Sequence, residues 1–104
     1  MDSIAIKSSH LFIPSSIARQ VFGEEQHAYL AYQVERKTLL VAAASQQWFS
    51  KMHQSSQHLL KTRNLYGDKT IALHEILIDH AIDSQDRSLQ YALQDNSRIL
   101  KISL

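Results

Sequence analysis

The sequence predicts an α+β protein that is mostly β, built from two tandem copies of a strand–helix–hairpin unit. Residues 11–44 and 71–104 share the same order of short apolar strand, short helix and alternating hairpin. When Ile17 is placed over Ile76, one offset of 59 positions aligns both hairpins. An internal repeat of this kind sets the architecture of a chain.

The length of the chain fits one domain. Its 104 residues divide into copy one at about 4–44, a connecting segment at 45–68 and copy two at 69–104. The aligned pairs at the common offset are Gln26 with Gln85, Leu30 with Leu89, Tyr32 with Tyr91, Val34 with Leu93, Leu40 with Ile99, and Val41 with Leu100.

The composition excludes several classes of protein. The net charge is +1 with mixed signs, so any nucleic-acid footprint is local rather than global. The absence of cysteine excludes disulfide frameworks, thiol nucleophiles and zinc–thiolate sites. The first residues lack the pattern of a signal peptide, and no apolar run approaches the ~18 residues that span a bilayer. We therefore expect a cytoplasmic, bacterial-type protein without a membrane partner.

The first copy predicts strand segments at 4–6 and 11–13 around a polar break. Pro14 ends the second segment because it has no N–H for a ladder, and it suits the first turn of a helix. One of the two serines that follow is placed to cap this helix. Gly23 ends the helix. The apolar stripe of the helix consists of Ile17, Val21 and Phe22.

Period-two alternation predicts the two hairpins. The first hairpin turns at Arg36-Lys37 and returns at 38–43, and the second turns at Asp95-Asn96 and returns at 98–104. The residues predicted to face inward are Leu30, Tyr32, Val34, Leu89, Tyr91 and Leu93.

Two helices are predicted after the first hairpin. Ser45 is a plausible N-cap for an amphipathic helix of roughly four turns over 45–61. A second, shorter helix is predicted at 74–80, following a strand at 69–73. The apolar positions of the long helix are Trp48, Phe49, Met52, Leu59 and Leu60, and those of the short helix are Ile76, Leu77 and Ile78.

The first copy resembles the AbrB/MraZ swapped-hairpin family. The resemblance rests on Phe12-Ile13-Pro14, Ile17, Phe22-Gly23 and the hairpin at 28–43. The tryptophan-containing segment after this hairpin is similar to MraZ proteins, which carry two copies in one chain. The resemblance implies a small pseudo-two-fold swapped-hairpin β-barrel, a DNA-binding or transcription-regulatory function, and no cofactor.

One segment departs from the family pattern. MraZ-type copies carry an Asp-x-x-Gly-Arg run that helps to form their DNA-facing surface. Residues 7–10 read Lys-Ser-Ser-His here, and 67–69 read Gly-Asp-Lys without the arginine. Leu73 replaces the proline of the second copy. The resemblance therefore covers the barrel segments more fully than the DNA-facing ones.

The histidine spacing does not predict a metal site. His53 and His58, and likewise His74 and His80, are spaced so that neither pair shares a helix face. The chain also lacks an HExxH motif. We interpret these side chains as surface or structural histidines.

The sequence also gives no sign of a catalytic centre. Asp79, Asp83 and Asp86 follow no EF-hand pattern and are typical of a solvated acidic face. No nucleophile elbow or glycine-rich phosphate loop organises the serines and histidines. The sequence therefore favours a non-enzymatic protein.

Two binding hypotheses remain open. Lys7, Arg19, Arg36 and Lys37 are the candidates for phosphate contacts with duplex DNA, against an interpretation as scattered solvated charge. The alternative function is a protein-interaction or oligomerisation module, with Trp48, Phe49 and Met52 as the candidate partner-binding residues.

Overall fold

Within its described residues the protein is mostly β, and two antiparallel sheets and two short helices can be assigned there. The computed structural model describes residues 4–23, 25–43, 49, 51, 55–62, 67–94 and 99–104. Its elements in chain order are β1 (Ala5–Lys7), β2 (His10–Ile13), α1 (Ser15–Val21), β3 (His27–Gln33), a 3₁₀ turn (Val34–Arg36), β4 (Thr38–Ala43), β5 (Ser56–Leu59), β6 (Lys61–Thr62), β7 (Lys69–Ala72), α2 (His74–Asp79), β8 (Arg87–Ser88), β9 (Tyr91–Gln94) and β10 (Ile99–Ser103).

Both sheets combine strands from the two copies. The first sheet has the order β6-β7-β2-β1-β8, and the second has the order β5-β3-β4-β10-β9. In the second sheet β4 pairs with β10, and Val41 lies opposite Leu100. The prediction that the two hairpins pair within one chain is therefore confirmed. In the first sheet β2 pairs with β7, and Leu11 lies opposite Ile71.

The outer strands of one sheet lead directly into the outer strands of the other. Leu60 alone separates β5 from β6, and Leu89-Gln90 separate β8 from β9. Both leucines are buried in the main core. At these junctions the Leu60 N–H donates to the Gln26 carbonyl oxygen at 2.8 Å, and the Leu89 N–H donates to the Ile4 carbonyl oxygen at 2.8 Å. Backbone hydrogen bonding therefore continues where the chain passes between sheets.

The main core collects apolar side chains from both sheets and both helices. Because successive side chains of a strand point to opposite faces, Leu30 on β3 and Val41 on β4 both point into this core. A smaller cluster on the opposite face of the second sheet joins Ala31 and Leu40 to Phe49. The second sheet is thus covered on both faces, and its strands include a continuous apolar run at 39–43.

The predicted core is correct in part. Leu30 and Leu89 are buried, and Tyr32 and Leu93 pack against the core as half-buried residues. Val34 and Tyr91 were wrongly predicted, since they are 61% and 43% exposed.

The two errors have local causes. The 3₁₀ turn begins at Val34, so the alternation that governs β3 stops one residue earlier. Lys37 then takes a left-handed conformation, with φ of 51°, and reverses the chain. Tyr91 is on β9, the last strand in the order of its sheet, and lies opposite Ile102 of β10.

The prediction of one long helix over 45–61 is wrong in its second half. Residues 56–59 and 61–62 form β5 and β6, because the backbone of this segment pairs with β3 and β7. The backbone is helical at Phe49 and Lys51. Residues 45–48, 50 and 52–54, which include the predicted N-cap, lie outside the described residues. Ile78 is also corrected, since it is 64% exposed on α2.

The helix α1 forms as predicted but is capped differently. Ile17, Val21 and Phe22 are buried, and Gly23 follows the helix with φ of 59°. No side-chain cap comes from the N-cap residue, which is proline. Instead, the Ser15 N–H donates to a carboxylate oxygen of Asp68 at 2.7 Å. The cap of the first copy's helix therefore comes from the segment before β7.

Replacing Leu89 by alanine tests the assignment of the strand junction to the core. Because Leu89 is buried, the substitution should lower the free energy of unfolding by about 2–5 kcal/mol. Leu59 is 50% exposed and provides the matched control, for which about 0.5 kcal/mol or less is expected. Urea denaturation of the two variants measures the difference. Equal losses of stability would contradict the assignment.

Candidate functional site

The first sheet carries a basic cleft on the face turned away from the core. The cleft has a volume of about 310 Å³. We call it the basic cleft, and it is lined by Lys7, Ser8, His10, Phe12, Lys61 and Thr70.

Strand register brings these side chains together. Lys7 lies opposite His10 across β1 and β2, and Phe12 lies opposite Thr70 across β2 and β7. Thr70 in turn lies opposite Lys61. Directly opposed residues in an antiparallel pair share one face of the sheet. Lys7 from copy one and Lys61 from the connecting segment therefore line the same cleft.

The β1–β2 turn shapes one wall of the cleft. Ser8 and Ser9 both have positive φ, at 52° and 63°, as a two-residue hairpin turn of the type I′ class requires. The Ser8 N–H donates to a carboxylate oxygen of Asp86 at 2.8 Å. This contact from the second copy stabilises a turn conformation that non-glycine residues adopt uncommonly.

The orientation of His10 follows from the same turn. Its Nδ1 lies 2.9 Å from the Ser8 carbonyl oxygen. A carbonyl oxygen only accepts hydrogen bonds, so Nδ1 carries the proton in this arrangement. The bond holds the ring beside Lys7, where it adds a polar group to a cleft that already carries positive charge.

The charge of Lys7 is held in place by an aromatic ring. Its Nζ atom lies 4.5 Å from the centroid of Phe12, the geometry of a cation–π interaction. Lys61 is exposed on β6. Next to it, Lys69 donates from Nζ to the Thr62 hydroxyl oxygen at 2.6 Å. Lysine ammonium groups beside aromatic and hydroxyl side chains are suited to contact an anion such as a phosphate.

The structure separates the four basic residues that the sequence singled out. Lys7 lies in the basic cleft, Arg19 lies in the last turn of α1, and Arg36 and Lys37 form the turn between β3 and β4 in the second sheet. Sequence reasoning missed Lys61 because it assigned that residue to a helix. The pairing of β6 with β7 brings it to the cleft, and sequence separation gives no signal of that contact.

The predicted partner-binding residues are placed differently from the hypothesis. Phe49 is fully buried, and its ring stacks on Tyr29 with centroids 6.3 Å apart and planes 16° apart. It is therefore a packing residue of the second sheet and is not available to a partner. Trp48 and Met52 lie outside the described residues.

The described residues contain neither a cluster of metal ligands nor a helix that could span a membrane. Among them, no group of three or more histidine, aspartate or glutamate side chains is placed to hold a metal ion. Neither of the two helices in the described part of the chain has the length and apolar character needed to cross a bilayer.

The chain matches no protein-family model, no curated protein and no solved structure.

His58 on β5 is a titratable group whose pKa responds to the fold. Partial burial lowers its pKa below the ordinary value of 6.5, and the negative charge of Glu75 opposes the shift. Its Nε2 lies 2.7 Å from the Ser56 hydroxyl oxygen. The folded protein therefore prefers the neutral imidazole at this position.

The His58 pKa shift predicts a loss of stability in acid. Because the folded pKa lies below the unfolded pKa, the unfolded chain binds a proton first as pH falls below about 6.5. The His58→Gln variant should consequently lose less stability than the wild type between pH 7 and pH 5. Urea denaturation at the two pH values measures this difference. The neighbouring Gln57→Ala variant is the control, and its offset from the wild type should be the same at both values.

An identical pH dependence for the wild type and His58→Gln would contradict the assigned direction of the shift.

Proposed function

We propose that the protein is a non-enzymatic, AbrB/MraZ-like DNA-binding module of the transcription-regulatory kind, which contacts phosphates of duplex DNA through the basic cleft. The observation that carries this proposal is the meeting of Lys7 and Lys61 in one cleft on the outer face of a sheet. The sequence resemblance implies the same function through its barrel segments, whereas Lys7 lies in the segment that departs from the family's DNA-facing pattern.

The cleft suits a phosphate better than a base. Lysine ammonium groups bind phosphate oxygens as point charges, and they position a protein on a duplex without reading its sequence. The Phe12 ring, which could stack on a base, already has the Lys7 ammonium near its face. Base stacking at Phe12 would require Lys7 to move away.

The expected binding is weak and sensitive to salt. The net charge of +1 gives little long-range steering towards DNA, so affinity depends on a few local contacts. Arg36 and Lys37 at the end of the second sheet are candidates for further phosphate contacts, together with Arg19 on α1. Each phosphate that is neutralised contributes roughly −0.9 to the slope of log affinity against log salt.

We further propose that the two sheets close into a small pseudo-two-fold swapped-hairpin β-barrel. Two findings support closure: the outer strands of the sheets are joined at Leu60 and at Leu89-Gln90, and the backbone stays hydrogen-bonded at both junctions. The pseudo-two-fold relation is supported by the pairing of Val41 with Leu100, the residues that the repeat aligns. A closed barrel has no free sheet edges.

Hydrogen exchange tests barrel closure. The amides of Leu60 and Leu89 donate to Gln26 and Ile4 at the two junctions, so in a closed barrel they should exchange as slowly as the amides of the central strand β4. Exchange measured by NMR at single-residue resolution provides the comparison. Fast exchange at either junction, with β4 still protected, would show two separate sheets and contradict closure.

Binding to duplex DNA tests the proposed function. Fluorescence anisotropy at about 50 and 200 mM salt should show binding that weakens with salt. The Lys7→Ala/Lys61→Ala variant should bind more weakly, with a salt slope smaller by roughly 2, because two phosphate contacts are removed. Lys101→Ala is the matched control, since this exposed lysine lies on β10 of the other sheet.

The outcomes of this experiment separate three hypotheses. A loss of binding confined to Lys7→Ala/Lys61→Ala supports the basic cleft. A loss confined to an Arg36→Ala/Lys37→Ala variant keeps DNA as the partner but moves the contact to the β3–β4 turn. If the wild type does not bind at about 50 mM salt, the DNA function is rejected and the interaction-module alternative remains.

A further inference from the structure

A second cleft lies between the end of β3 and the helix α2, away from the basic cleft. Its volume is about 460 Å³, within the size range of small-molecule sites in proteins. We call it the β3–α2 cleft, and its chemistry comes from Tyr32, Val34, Ser55, Ile76, Asp79 and His80.

The carboxylate of Asp79 is placed where the fold does not benefit from it. Asp79 is the last residue of α2, and negative charge is unfavourable at a helix C-terminus. The last turn of this helix contains no basic residue. Among the described residues, no hydrogen bond or ion pair engages the Asp79 side chain. Glu75 lies one turn earlier, so both carboxylates fall on neighbouring positions of the helix surface.

The rest of the lining that gives the cleft its chemistry is largely aromatic and apolar. The rings of Tyr32 and His80 are in contact, with centroids 4.6 Å apart and planes tilted by 49°. Val34 adds an apolar side chain that is 61% exposed, and Ile76 is half-buried beside it. A flat apolar group inserted here would cover surface that is otherwise in contact with water.

A polar group in the cleft has no partner within the described residues. The Ser55 hydroxyl oxygen is buried, yet it makes no hydrogen bond. Leaving such an atom unpaired costs free energy, and native structures contain few of them. The described part of the protein therefore leaves one polar atom beside the cleft unsatisfied.

We propose that the β3–α2 cleft binds a small organic cation with a planar guanidinium or amidinium group. The Asp79 carboxylate supplies the opposite charge and accepts two parallel N–H bonds, which this planar group can donate. Planar cations also stack on aromatic faces, and Tyr32 provides one.

Charge and location distinguish this site from the basic cleft. Among the described lining residues of the β3–α2 cleft there is no lysine or arginine, so a phosphate has no fixed cation to contact. The two clefts also lie on different sheets, since Tyr32 belongs to β3 and Lys7 to β1. The proposed cation site therefore does not depend on the proposed DNA function.

An NMR titration with benzamidine tests the proposal. At pH 8, above the ordinary pKa of histidine, benzamidine should shift the backbone amide signals of Tyr32, Ser55 and His80. Benzyl alcohol, a neutral aromatic of similar size, should bind at least about tenfold more weakly, because it lacks the charge-assisted hydrogen bonds. Increasing salt should weaken the binding of benzamidine alone.

Two matched variants test whether the Asp79 carboxylate is the group that binds the cation. Asp79→Asn keeps the side-chain shape, removes the carboxylate and should weaken benzamidine binding about tenfold, as expected for the loss of a charged pair. This variant should stay folded because an uncharged residue suits a helix C-terminus. Glu25→Gln removes one negative charge from the α1–β3 connection and should leave binding unchanged.

The proposal is overturned if Asp79→Asn binds benzamidine as well as the wild type does. It is also overturned if benzyl alcohol gives the same shifts at the same concentrations, since the site would then recognise an apolar group without its charge. Tyr32→Leu keeps much of the packing against the core and removes the aromatic face. This variant should bind benzamidine more weakly, and unchanged binding would exclude stacking.

Discussion

The pairing of strands between the two copies is the constraint on which the rest of the structure depends. The strand β4 meets β10 in one sheet, and β2 meets β7 in the other. Neither copy can bury its apolar strands alone, because the neighbours that complete each sheet come from the other copy. The buried residues of both copies consequently form one continuous main core. The two clefts exist because this pairing brings distant segments into register.

Hydrogen bonds between distant segments also stabilise turns and helix ends. Asp68, from the segment before β7, accepts the Ser15 N–H at the start of α1. Asp86, from the loop before β8, accepts the Ser8 N–H in the β1–β2 turn. In return, the Ser9 carbonyl oxygen accepts the N–H of Leu73 at 3.0 Å, at the start of α2. Copy two and the connecting segment therefore supply hydrogen bonds to a turn and a helix end of copy one, and copy one supplies one to the helix start of copy two.

Local patterns in the sequence predicted local structure well. Pro14 and Gly23 bound α1 for backbone reasons that act within a few residues, and alternation located β4 at its observed limits of Thr38–Ala43. The errors arose where a distant segment decides the outcome. Apolar residues at helical spacing predict a helix that includes 56–62. The segment forms strands instead, because its backbone pairs with β3 and β7.

The candidate sites depended on the same distant contacts. Lys7 was recognised as basic, but its neighbour Lys61 is close only through two strand pairings. The acidic spacing around Asp79 is typical of a solvated face, and no local pattern indicates that Tyr32 and Ser55 line the same cleft. A site built from several strands of two copies has no compact sequence motif, so spacing arguments do not detect it.

The pairing of β1 with β8 has a consequence for biosynthesis. Ala5 lies opposite Ser88, so the first sheet stays incomplete on the ribosome until most of the sequence has been translated. The same holds for β4, which waits for Ile99 and the residues after it. Nascent copy one would meanwhile present unpaired apolar strands such as 39–43, the kind of surface that chaperones cover. Contacts this far apart in sequence also slow folding, since long loops must close first. The nascent chain is therefore most prone to aggregation before copy two emerges from the ribosome.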